Sequence, residues 1–491
     1  MLETLHNIDH SFPAPAYART VLAVNFEDAK RYFLESLLDI QYAHGLMLRQ
    51  RGLLSAEEAA VIFRALNSLN RDALRSAQYS GTCEDLFFHV EDLLAGDIGV
   101  DVAGKLHTAR SRNDIDITLY RMEIRKRLLT AVDEVLGLAR VLCRIAADHL
   151  DTVMPAHTHT QPAQPTTLAH YLAAVIEMLL RDVARLQSAF ATVNRNPLGA
   201  CAITTTGFPI DRDATTELLG FDGIQLNSYG CIAAVDYVLE SMAAISVAAV
   251  GAGKFIHDLL LWSMQEFGYL RLSNAFVQTS SIMPQKRNPV ALEHARVLAS
   301  RAHAEAQSVF TTAHNTPFGD IVDSEDDLMP LVFLAFEDAS RTVQLVSAAL
   351  ETATFDCDLM KRRAGASFLT VTELADTLVR TEGLSFRQAH GIVAGAVRSG
   401  DESHSRIVAD VIAALGPSAK STPEQLMGSL DPASFVEVRS IPGGPARAEV
   451  AQRLAAFSDA LDSAGDWRAA RSDSLSRARE RLYQAVSFHL S

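Results

Sequence analysis

Apolar residues recur at three- and four-residue spacing along most of this chain. Between Leu119 and Leu150 the pattern is clear, and charged residues such as Arg121 and Arg140 occupy the positions between the apolar ones. An apolar stripe opposite a polar face predicts an amphipathic α-helix of several turns. Convincing β-alternation is nearly absent. We therefore predict an all-α protein.

Four further stretches have the same periodicity and a similar length. They cover residues 168–193, 234–261, 291–312 and 328–353. The second of these is rich in alanine and glycine, and small residues allow neighbouring helices to approach closely. The pattern predicts a central bundle of five long helices, flanked by smaller helical regions.

Interruptions of the periodicity predict the domain boundaries. Gly96, Gly99 and Gly104 break the pattern close together, and shorter helical patterns return after residue 358. The tail from Asp466, with alternating Arg, Asp and Ser, predicts a solvated terminal helix. The predicted domains are an N-terminal helical domain (1–107), a central long-helix domain (108–358) and a C-terminal helical domain (359–491).

Composition and charge exclude several classes of protein. The net charge of −15 argues against a general nucleic-acid binder. The five cysteines show no Cys-x-x-Cys or Cys/His ligand spacing, so neither a disulfide framework nor a zinc site is expected. The N-terminus lacks a signal-peptide pattern, and the most apolar stretch, 242–250, is far shorter than the roughly 20 residues of a membrane span. We expect a cytoplasmic enzyme with no membrane partner.

The most informative polar segment covers residues 279–289. It contains the adjacent hydroxyls of Ser280 and Ser281, the cation Lys286, and then Asn288-Pro289 before a predicted helix. Asn288 is a good N-cap, and backbone N–H groups at a helix N-terminus attract anions. The segment could therefore hold a carboxylate and help lower the pKa of a hydroxyl. A polar loop that merely enters a helix is the alternative.

A second polar segment, residues 104–114, also precedes a long helix. It brings Lys105, His107, Arg110 and Arg112 together with neutral hydrogen-bond donors. Carboxylate recognition needs such a mixture, the arginine fork above all. The alternative is a basic cluster at a helix start that pairs with acidic neighbours.

A third segment, residues 157–167, contains His157 and His159. No carboxylate or cysteine at ligand spacing accompanies them, so a metal site is not predicted. A histidine near its reference pKa is a more natural acid, base or hydrogen-bonding group. Taken alone, this segment fits a structural role better than a catalytic one.

Together the three segments resemble the signature regions of the argininosuccinate lyase family, within the fumarase/aspartase superfamily. The family patterns GKLHTGRSRND, THLQxAQP and GSSxMPQKxNP correspond to GKLHTARSRND from Gly104, THTQPAQP from Thr158 and TSSIMPQKRNP from Thr279. The resemblance extends from about Asp39 to Ala456. It implies three helical domains and a homotetramer with a 20-helix core, in which three subunits share each active site.

The resemblance also implies the chemistry. The enzyme would be a carbon–nitrogen lyase that reversibly eliminates an amine from an N-(1,2-dicarboxyethyl), or N-succinyl, compound and releases fumarate, without metal or cofactor. Ser280 would be the general base, in a loop that is poorly ordered without ligand. Lys286 and Asn288 would stabilise the aci-carboxylate intermediate, and His159, oriented by Glu293, would bind substrate or assist the departing amine. The remaining residues implied to bind substrate are Ser111, Arg112, Asn113, Thr158, Gln161, Ser281 and Met283.

This sequence departs from the family in the half that handles the amine. The family segment YNKDxQEDK corresponds to residues 320–328, where Asp320 replaces Tyr, Glu325 replaces Gln and Leu328 replaces Lys. Val290 replaces the usual acidic residue after Asn-Pro. Two new carboxylates and a lost cation would disfavour the carboxylate of arginine. We therefore predict an amine other than that of argininosuccinate, as in lyases acting on ethylenediamine disuccinate.

Two alternatives remain open at this point. If the segment after Pro317 is paired wrongly with the family's pattern, the enzyme is a genuine argininosuccinate lyase that makes arginine and fumarate. Relatives of the family also serve as lens crystallins, so a catalytically silent structural protein is a more remote alternative.

Overall fold

The computed structural model describes residues 12–398 and 400–490. The first seven helices are short to medium in length: α1 Pro15–Tyr17, α2 Ala23–Tyr32, α3 Leu34–Gln50, α4 Ala56–Ser68, α5 Arg71–Ser76, α6 Leu86–Ile98 and α7 Val100–Lys105. The middle of the chain contains five long helices and two short ones: α8 Arg112–Asp148, α9 Leu168–Val193, α10 Arg212–Leu219, α11 Ser228–Ala233, α12 Asp236–Ser263, α13 Val290–Ala313 and α14 Met329–Glu351.

Six short helices and one long helix complete the helical part: α15 Cys357–Ala364, α16 Val371–Glu382, α17 Phe386–Val397, α18 His404–Leu415, α19 Pro423–Ser429, α20 Pro432–Glu437 and α21 Arg447–Phe488. The strands are β1 Val153–Thr158, β2 Gln161–Thr167, β3 Leu270–Arg271, β4 Gln278–Thr279, β5 Arg287–Asn288 and β6 Thr354–Phe355. One π turn, Ala18–Leu22, and two 3-10 turns, Asn274–Phe276 and Val322–Ser324, lie between them. The structure is 69% helical, which confirms the predicted all-α class.

The five predicted long helices are all present. Helix α8 begins seven residues before the predicted stretch because Ser111 forms a capping box with Asp114 at its N-terminus. The helix packs against α9, α14 and α21, and α12 packs against α9, α13 and α14. The apolar stripes of these helices meet in one large core, as the periodicity predicts.

The near absence of β-alternation in the sequence does not exclude strands, and the structure has one hairpin of longer strands. Strands β1 and β2 form an antiparallel hairpin between α8 and α9, with an irregularity in register between Ala156 and His157. Three prolines and several polar residues interrupt any apolar alternation here, so the pattern contains no strand signal. The third polar segment therefore lies on this hairpin, and its last residue, Thr167, is the N-cap of α9.

Asn288 was also predicted wrongly as a helix N-cap. It lies in the two-residue strand β5, where it is paired with Gln278 of β4. The N-cap position of α13 is occupied by Pro289, which has no side-chain cap. The loop between these two strands therefore starts and ends at one short ladder, which fixes its two ends close together.

The C-terminal part of the chain has two different environments. Residues of α16 to α19 form a small hydrophobic cluster of their own. Helix α21, in contrast, returns to the main core, and Ala478, Leu482 and Val486 on it are about 1% exposed. The predicted tail helix is therefore present, but it is solvated on one side only. The three domain boundaries remain a prediction.

Within the described ranges, α12 is long and apolar enough by length and composition to cross a membrane. A core helix of a bundle has the same properties, and α12 packs against three other long helices. Two of its valines, Val247 and Val250, are 47% and 48% exposed. One side of α12 is therefore apolar and uncovered in the single chain.

Candidate active site

The segment 104–114 ends on the capped N-terminus of α8. The Ser111 hydroxyl accepts a hydrogen bond from the backbone N–H of Asn113 at 3.4 Å, and the Ser111 N–H donates to Asp114 Oδ1 at 2.9 Å. The Asn113 side-chain amide donates to the carbonyl of Ala202 at 3.1 Å. Ser111 and Asn113 therefore lie side by side at the positive end of a long helix dipole, where a carboxylate is favoured.

The neighbouring Arg112 already has partners within the chain. Its guanidinium forms ion pairs with Asp85 and with Asp116, the latter at 2.8 Å. Burial alone would lower the pKa of Arg112, but the charge and hydrogen bond of Asp116, together with the nearby Asp326 and Tyr120, outweigh it and raise the pKa above its usual value. Because its charge is balanced, Arg112 positions this segment, and its predicted contact with substrate remains a prediction.

Asp114 joins this segment to the following part of the chain. Its carboxylate accepts hydrogen bonds from the backbone N–H groups of Gly199 at 2.7 Å and Cys201 at 2.9 Å. Burial raises the pKa of Asp114 to about 6 in spite of these bonds. The residue before Arg110, Ala109, has a φ of 63° in the left-handed region. The turn that enters α8 is therefore held tightly and contains a strained alanine.

Carboxylates crowd next to this helix start. Asp326 Oδ1 accepts a hydrogen bond of 2.6 Å from the Tyr120 hydroxyl, and Asp116 lies close enough to Asp326 for their charges to interact. Glu325 is hydrogen-bonded to Asp320. Burial, that hydrogen bond and the neighbouring negative charges raise the pKa of Glu325 to about 8. At neutral pH, Glu325 is therefore protonated and shares its proton with Asp320.

Leu328 follows this acidic segment and points away from solvent. Its side chain is 0% exposed and belongs to the main hydrophobic core. The cation of the family pattern has therefore been replaced by a core residue. Arg112, whose charge interacts with Asp326 of this acidic group, is paired with Asp85 and Asp116.

The hairpin presents a polar turn at its tip. Thr158 pairs with Gln161, and the two residues between them, His159 and Thr160, have positive φ values of 51° and 64°. All four residues are exposed. The imidazole of His159 is therefore displayed to solvent on a tight turn, where it can meet a ligand or another chain.

The loop between β4 and β5 carries Ser280. Its Oγ accepts hydrogen bonds from the backbone N–H groups of Ile282 at 3.2 Å and Met283 at 3.0 Å. Such bonds stabilise an alkoxide, because they are donated to the oxygen that would carry the charge. In the described part of the chain, the exposed ammonium of Lys286 makes no ion pair or hydrogen bond. The loop therefore offers a polarised hydroxyl and an uncommitted cation.

The other predicted residues of this loop region are close by in the chain. Ser281 and Met283 are exposed on the loop, and Glu293 is exposed on the first turn of α13. Within residues 12–398 and 400–490, no hydrogen bond joins Glu293 to His159, so the predicted pair is not formed inside one chain. Val290 is the first residue of α13.

One chain brings these residues together as two half-sites. The first lies at the N-terminus of α8, where the acidic segment joins Ser111 and Asn113. The second lies beyond the C-terminus of α8, where the hairpin and the segment leading into the Ser280 loop meet, with the rings of His157 and Phe267 6.0 Å apart. Helix α8 has 37 residues, so the two half-sites are roughly 55 Å apart at about 1.5 Å per residue.

The same argument separates the residues predicted to select the amine. Val290 begins α13, whereas Asp320 and Glu325 follow the C-terminus of that 24-residue helix. The separation is roughly 36 Å at about 1.5 Å per residue. The structure therefore joins Asp320 with Glu325 but does not bring Val290 to them within one chain.

The sequence analysis missed three members of the first half-site: Asp116, Tyr120 and Asp326. Asp116 could have been found, because it lies four residues after Arg112 and forms an i,i+4 ion pair with it. Tyr120 is four residues further along the same face. Asp326 had no such signal, since its bond to Tyr120 joins residues 206 positions apart.

Comparisons with known proteins show the family of the chain. A family model described as lyase matches residues 47–303, and one described as argininosuccinate lyase C-terminal matches residues 368–437. Argininosuccinate lyase 2 of Agrobacterium fabrum is 42% identical over 91% of this chain and 90% of its own. Argininosuccinate lyase 1 of Shouchella clausii is 36% identical over 89% of both chains.

Solved structures with similar folds include lyases of the same kind. EDDS lyase in complex with formate superposes with a TM-score of 0.85 at 31% identity, covering 95% of this chain and 93% of that chain. The 3-carboxy-cis,cis-muconate lactonizing enzyme from Pseudomonas putida, at 20% identity and a TM-score of 0.71, shares the fold. The signature segments, the helical fold and these relatives together show that the chain is a carbon–nitrogen lyase and belongs to the argininosuccinate lyase family, within the fumarase/aspartase superfamily.

Proposed function

We propose that the enzyme eliminates an amine from an N-succinyl compound and releases fumarate, and that this compound is not argininosuccinate. The observation that carries the second part is the acidic pair Asp320–Glu325 beside a helix start that can hold carboxylates. The relatives are named argininosuccinate lyases, and one of the neighbouring structures is an EDDS lyase variant with bound fumarate. These names support fumarate as the common product.

Ser280 is the proposed general base. A serine hydroxyl is a poor base at its free pKa, so its surroundings must stabilise the alkoxide. The N–H groups of Ile282 and Met283 already point at its Oγ. Lys286, six residues on in the same loop, supplies a positive charge without a competing partner in the described chain. Removal of a proton next to the succinyl carboxylate then produces a doubly charged intermediate.

The same cations and amides that favour the alkoxide also favour that intermediate. Lys286 and Asn288 are proposed to bind its oxygens, where the charge develops. Ser111, Asn113 and Thr158 are proposed to hold the carboxylates before the reaction. His159, oriented by Glu293, is proposed to bind substrate or to pass a proton to the leaving amine.

This assignment requires more than one chain at each site. Ser111 and Ser280 lie at opposite ends of the bundle, so an active site with both of them combines different copies. The uncovered apolar side of α12, with Val247 and Val250, and the 52% exposed Val297 on α13 are surfaces on which copies can pack. The separation of the half-sites requires at least two copies, and the family resemblance implies three; we therefore propose a homotetramer in which three subunits share each site.

The amine half of the site selects for positive charge. Asp320 and Glu325 together offer carboxyl oxygens as hydrogen-bond acceptors in an acidic environment. Leu328 is buried and offers no cation to a carboxylate. The arginine portion of argininosuccinate carries a carboxylate. This acidic group would repel that carboxylate, and no cation at position 328 would offset the repulsion. A diamine or another cationic amine avoids that repulsion.

A genuine argininosuccinate lyase is the second candidate, and the names of the relatives at 42% and 36% identity favour it. The test measures fumarate absorbance in both directions. The enzyme is incubated with argininosuccinate, and separately with fumarate and either ethylenediamine, another diamine or arginine. We expect fumarate consumption with a diamine and little or none with arginine. Robust turnover of argininosuccinate would reject the proposed substrate class.

Replacement of the proposed base tests the reaction itself. Ser280→Ala is expected to lower turnover by roughly a thousand-fold or more, since proton abstraction loses its base. Ser76→Ala, which removes an exposed hydroxyl at the end of α5, is the matched control and should retain normal turnover. If Ser280→Ala retained near-normal turnover, Ser280 would lose its assigned role.

A further inference from the structure

A cavity of about 610 Å³ lies at the base of the hairpin, next to the second half-site and sharing His157 and Phe267 with it. Its walls come from β1 and β2, the start of α9, the end of α12 and the stretch between Arg439 and Pro445. None of the residues assigned to the reaction lines it. The cavity is large enough for a small organic molecule, and its walls combine apolar area with a few polar groups, as ligand pockets do.

Aromatic rings form much of its wall. The rings of Tyr171 and Trp262 are 4.8 Å apart, and those of His157 and Phe267 are 6.0 Å apart. Burial lowers the pKa of His157, so its imidazole is neutral at neutral pH. Electron-rich ring faces attract cations, and a carboxylate next to them strengthens that preference.

Asp258 supplies such a carboxylate. One oxygen, Oδ2, accepts a hydrogen bond of 2.6 Å from the Tyr171 hydroxyl. Burial and the nearby carboxylate raise the pKa of Tyr171, so the hydroxyl remains the donor. Within residues 12–398 and 400–490, no lysine or arginine forms an ion pair with Asp258. The second oxygen of Asp258 is therefore available to a ligand.

Arg439, the arginine of the wall, already has acidic partners: it pairs with Glu373, which also pairs with Arg380, and lies 4.0 Å from Asp376. Arg439 Nη1 donates to Glu373 Oε2 at 2.8 Å and to the carbonyl of Phe435 at 2.6 Å. The guanidinium also stacks on the Phe435 ring, 3.4 Å from its centroid. The uncompensated charge of the cavity wall is therefore negative.

We propose that this cavity, which adjoins the second half-site but is lined by none of the residues assigned to the reaction, is a second binding site for an organic ammonium ion with an apolar or aromatic body. The carboxylate of Asp258 receives the ammonium group, and Tyr171, Trp262 and Phe267 surround the body. This site does not depend on the substrate proposed above, since no residue of the amine half contributes to it.

Tryptophan fluorescence can measure binding to this cavity. Trp262 lies in the cavity wall, and the other tryptophan is Trp467. In a Trp467→Phe protein, fluorescence therefore reports on Trp262 alone. The probes are benzylammonium and its neutral counterpart benzyl alcohol. We expect saturable quenching with a Kd for benzylammonium about ten-fold below that for benzyl alcohol, since a tenfold ratio needs only the energy of one charge contact.

Three variants in the Trp467→Phe protein locate the site. Asp258→Asn keeps the shape of the side chain and should bring the two Kd values within about two-fold of each other. Tyr171→Phe removes the hydrogen bond to Asp258 but keeps the carboxylate, and should preserve the preference for the cation; it therefore separates loss of the charge from loss of that bond. Glu325→Gln, in the amine half, should leave both Kd values unchanged.

Several results would overturn the proposal. They are equal affinity for the two probes, absence of saturable quenching, or an Asp258→Asn protein that still prefers the cation. Loss of benzylammonium binding in Glu325→Gln with retention in Asp258→Asn would assign the cation to the catalytic centre instead.

Discussion

At the scale of single residues, Ala109 has a backbone conformation that is unfavourable for alanine. Its φ of 63° lies where an L side chain is strained, and the family pattern has glycine at this position. Ala109→Gly is expected to stabilise the protein by about 1 kcal/mol, because the relief of strain exceeds the entropy that glycine gains in the unfolded chain. Thermal unfolding measures the change.

The matched control is Ala103→Gly in helix α7, where the backbone is helical. This variant should lower the unfolding midpoint, since glycine is less favourable than alanine in a helix by about 1 kcal/mol. If Ala109→Gly lowered the midpoint as well, the strain at Ala109 would not exist in solution.

Glu325 predicts how cation binding in the amine half depends on pH. Its pKa is raised to about 8, so the carboxyl is protonated at neutral pH and ionises as the pH rises through 8. The negative charge next to Asp320 therefore increases above that pH. Tetramethylammonium, whose charge does not titrate, should become a several-fold stronger competitive inhibitor between about pH 7 and pH 9.

Glu325→Gln removes the titrating group and keeps the size of the side chain. Its inhibition constant for tetramethylammonium should be nearly flat over the same range, at the weaker, neutral-pH value. A pH dependence that persisted unchanged in this variant would show that another group controls cation binding.

Residue roles were predictable only where the signal is local. Ser280 and Lys286 belong to one continuous loop motif, so their proximity followed from the sequence. The ion pair between Arg112 and Asp85 did not, because the two residues meet only after α6 has packed against the start of α8. An ion pair between residues far apart in sequence depends on the fold, and the hydrophobic periodicity of the sequence does not predict it.

At the scale of elements, Ser111 has two functions that can be separated. It caps α8, and it is a proposed ligand of a substrate carboxylate. Ser111→Ala loses both, and should destabilise the protein by about 1 kcal/mol and lower activity. Ser111→Asp retains a good cap and should keep normal stability, while its charge repels the succinyl carboxylate and abolishes turnover.

Thermal unfolding and turnover are measured on both Ser111 variants. If Ser111→Asp were fully active, Ser111 would be a structural cap alone. If it were as unstable as Ser111→Ala, the capping role would be in doubt.

The long helices were predictable because their apolar stripes are long. The predicted end of α9 agrees with the structure, and those of α13 and α14 agree within two residues. The hairpin β1–β2 was not predictable, since prolines and polar residues occupy both strands and its stability comes from packing against α15 and α20. Asn288 was misassigned for a related reason: a two-residue ladder with Gln278 outweighed its preference for a helix cap.

At the scale of the whole molecule, the distance between the half-sites predicts complementation between chains. Ser280→Ala disables one half-site and Ser111→Asp the other, so each protein alone should be inactive. In mixed assemblies, some active sites combine the intact Ser111 of a Ser280→Ala chain with the intact Ser280 of a Ser111→Asp chain. With equal amounts and random assembly, about one quarter of the wild-type activity is expected.

The measurement is turnover after the two proteins are unfolded together and refolded, or produced together in one cell. Each variant treated in the same way on its own is the control. Activity that stayed at the level of the separate variants would place both half-sites of each active site in one chain.

The 37 residues of α8 also set a constraint on how this enzyme can evolve. An α-helix has a fixed rise and rotation per residue. The loss of one residue shortens it by about 1.5 Å and rotates the residues after the deletion by about 100° about the helix axis. Such a deletion would rotate the hairpin with His159 relative to Ser111. Because the proposed sites join the two ends of different copies, one lost residue would misalign every site of the assembly at once. Insertions and deletions should therefore accumulate in surface loops, while the length of α8 stays constant among active relatives.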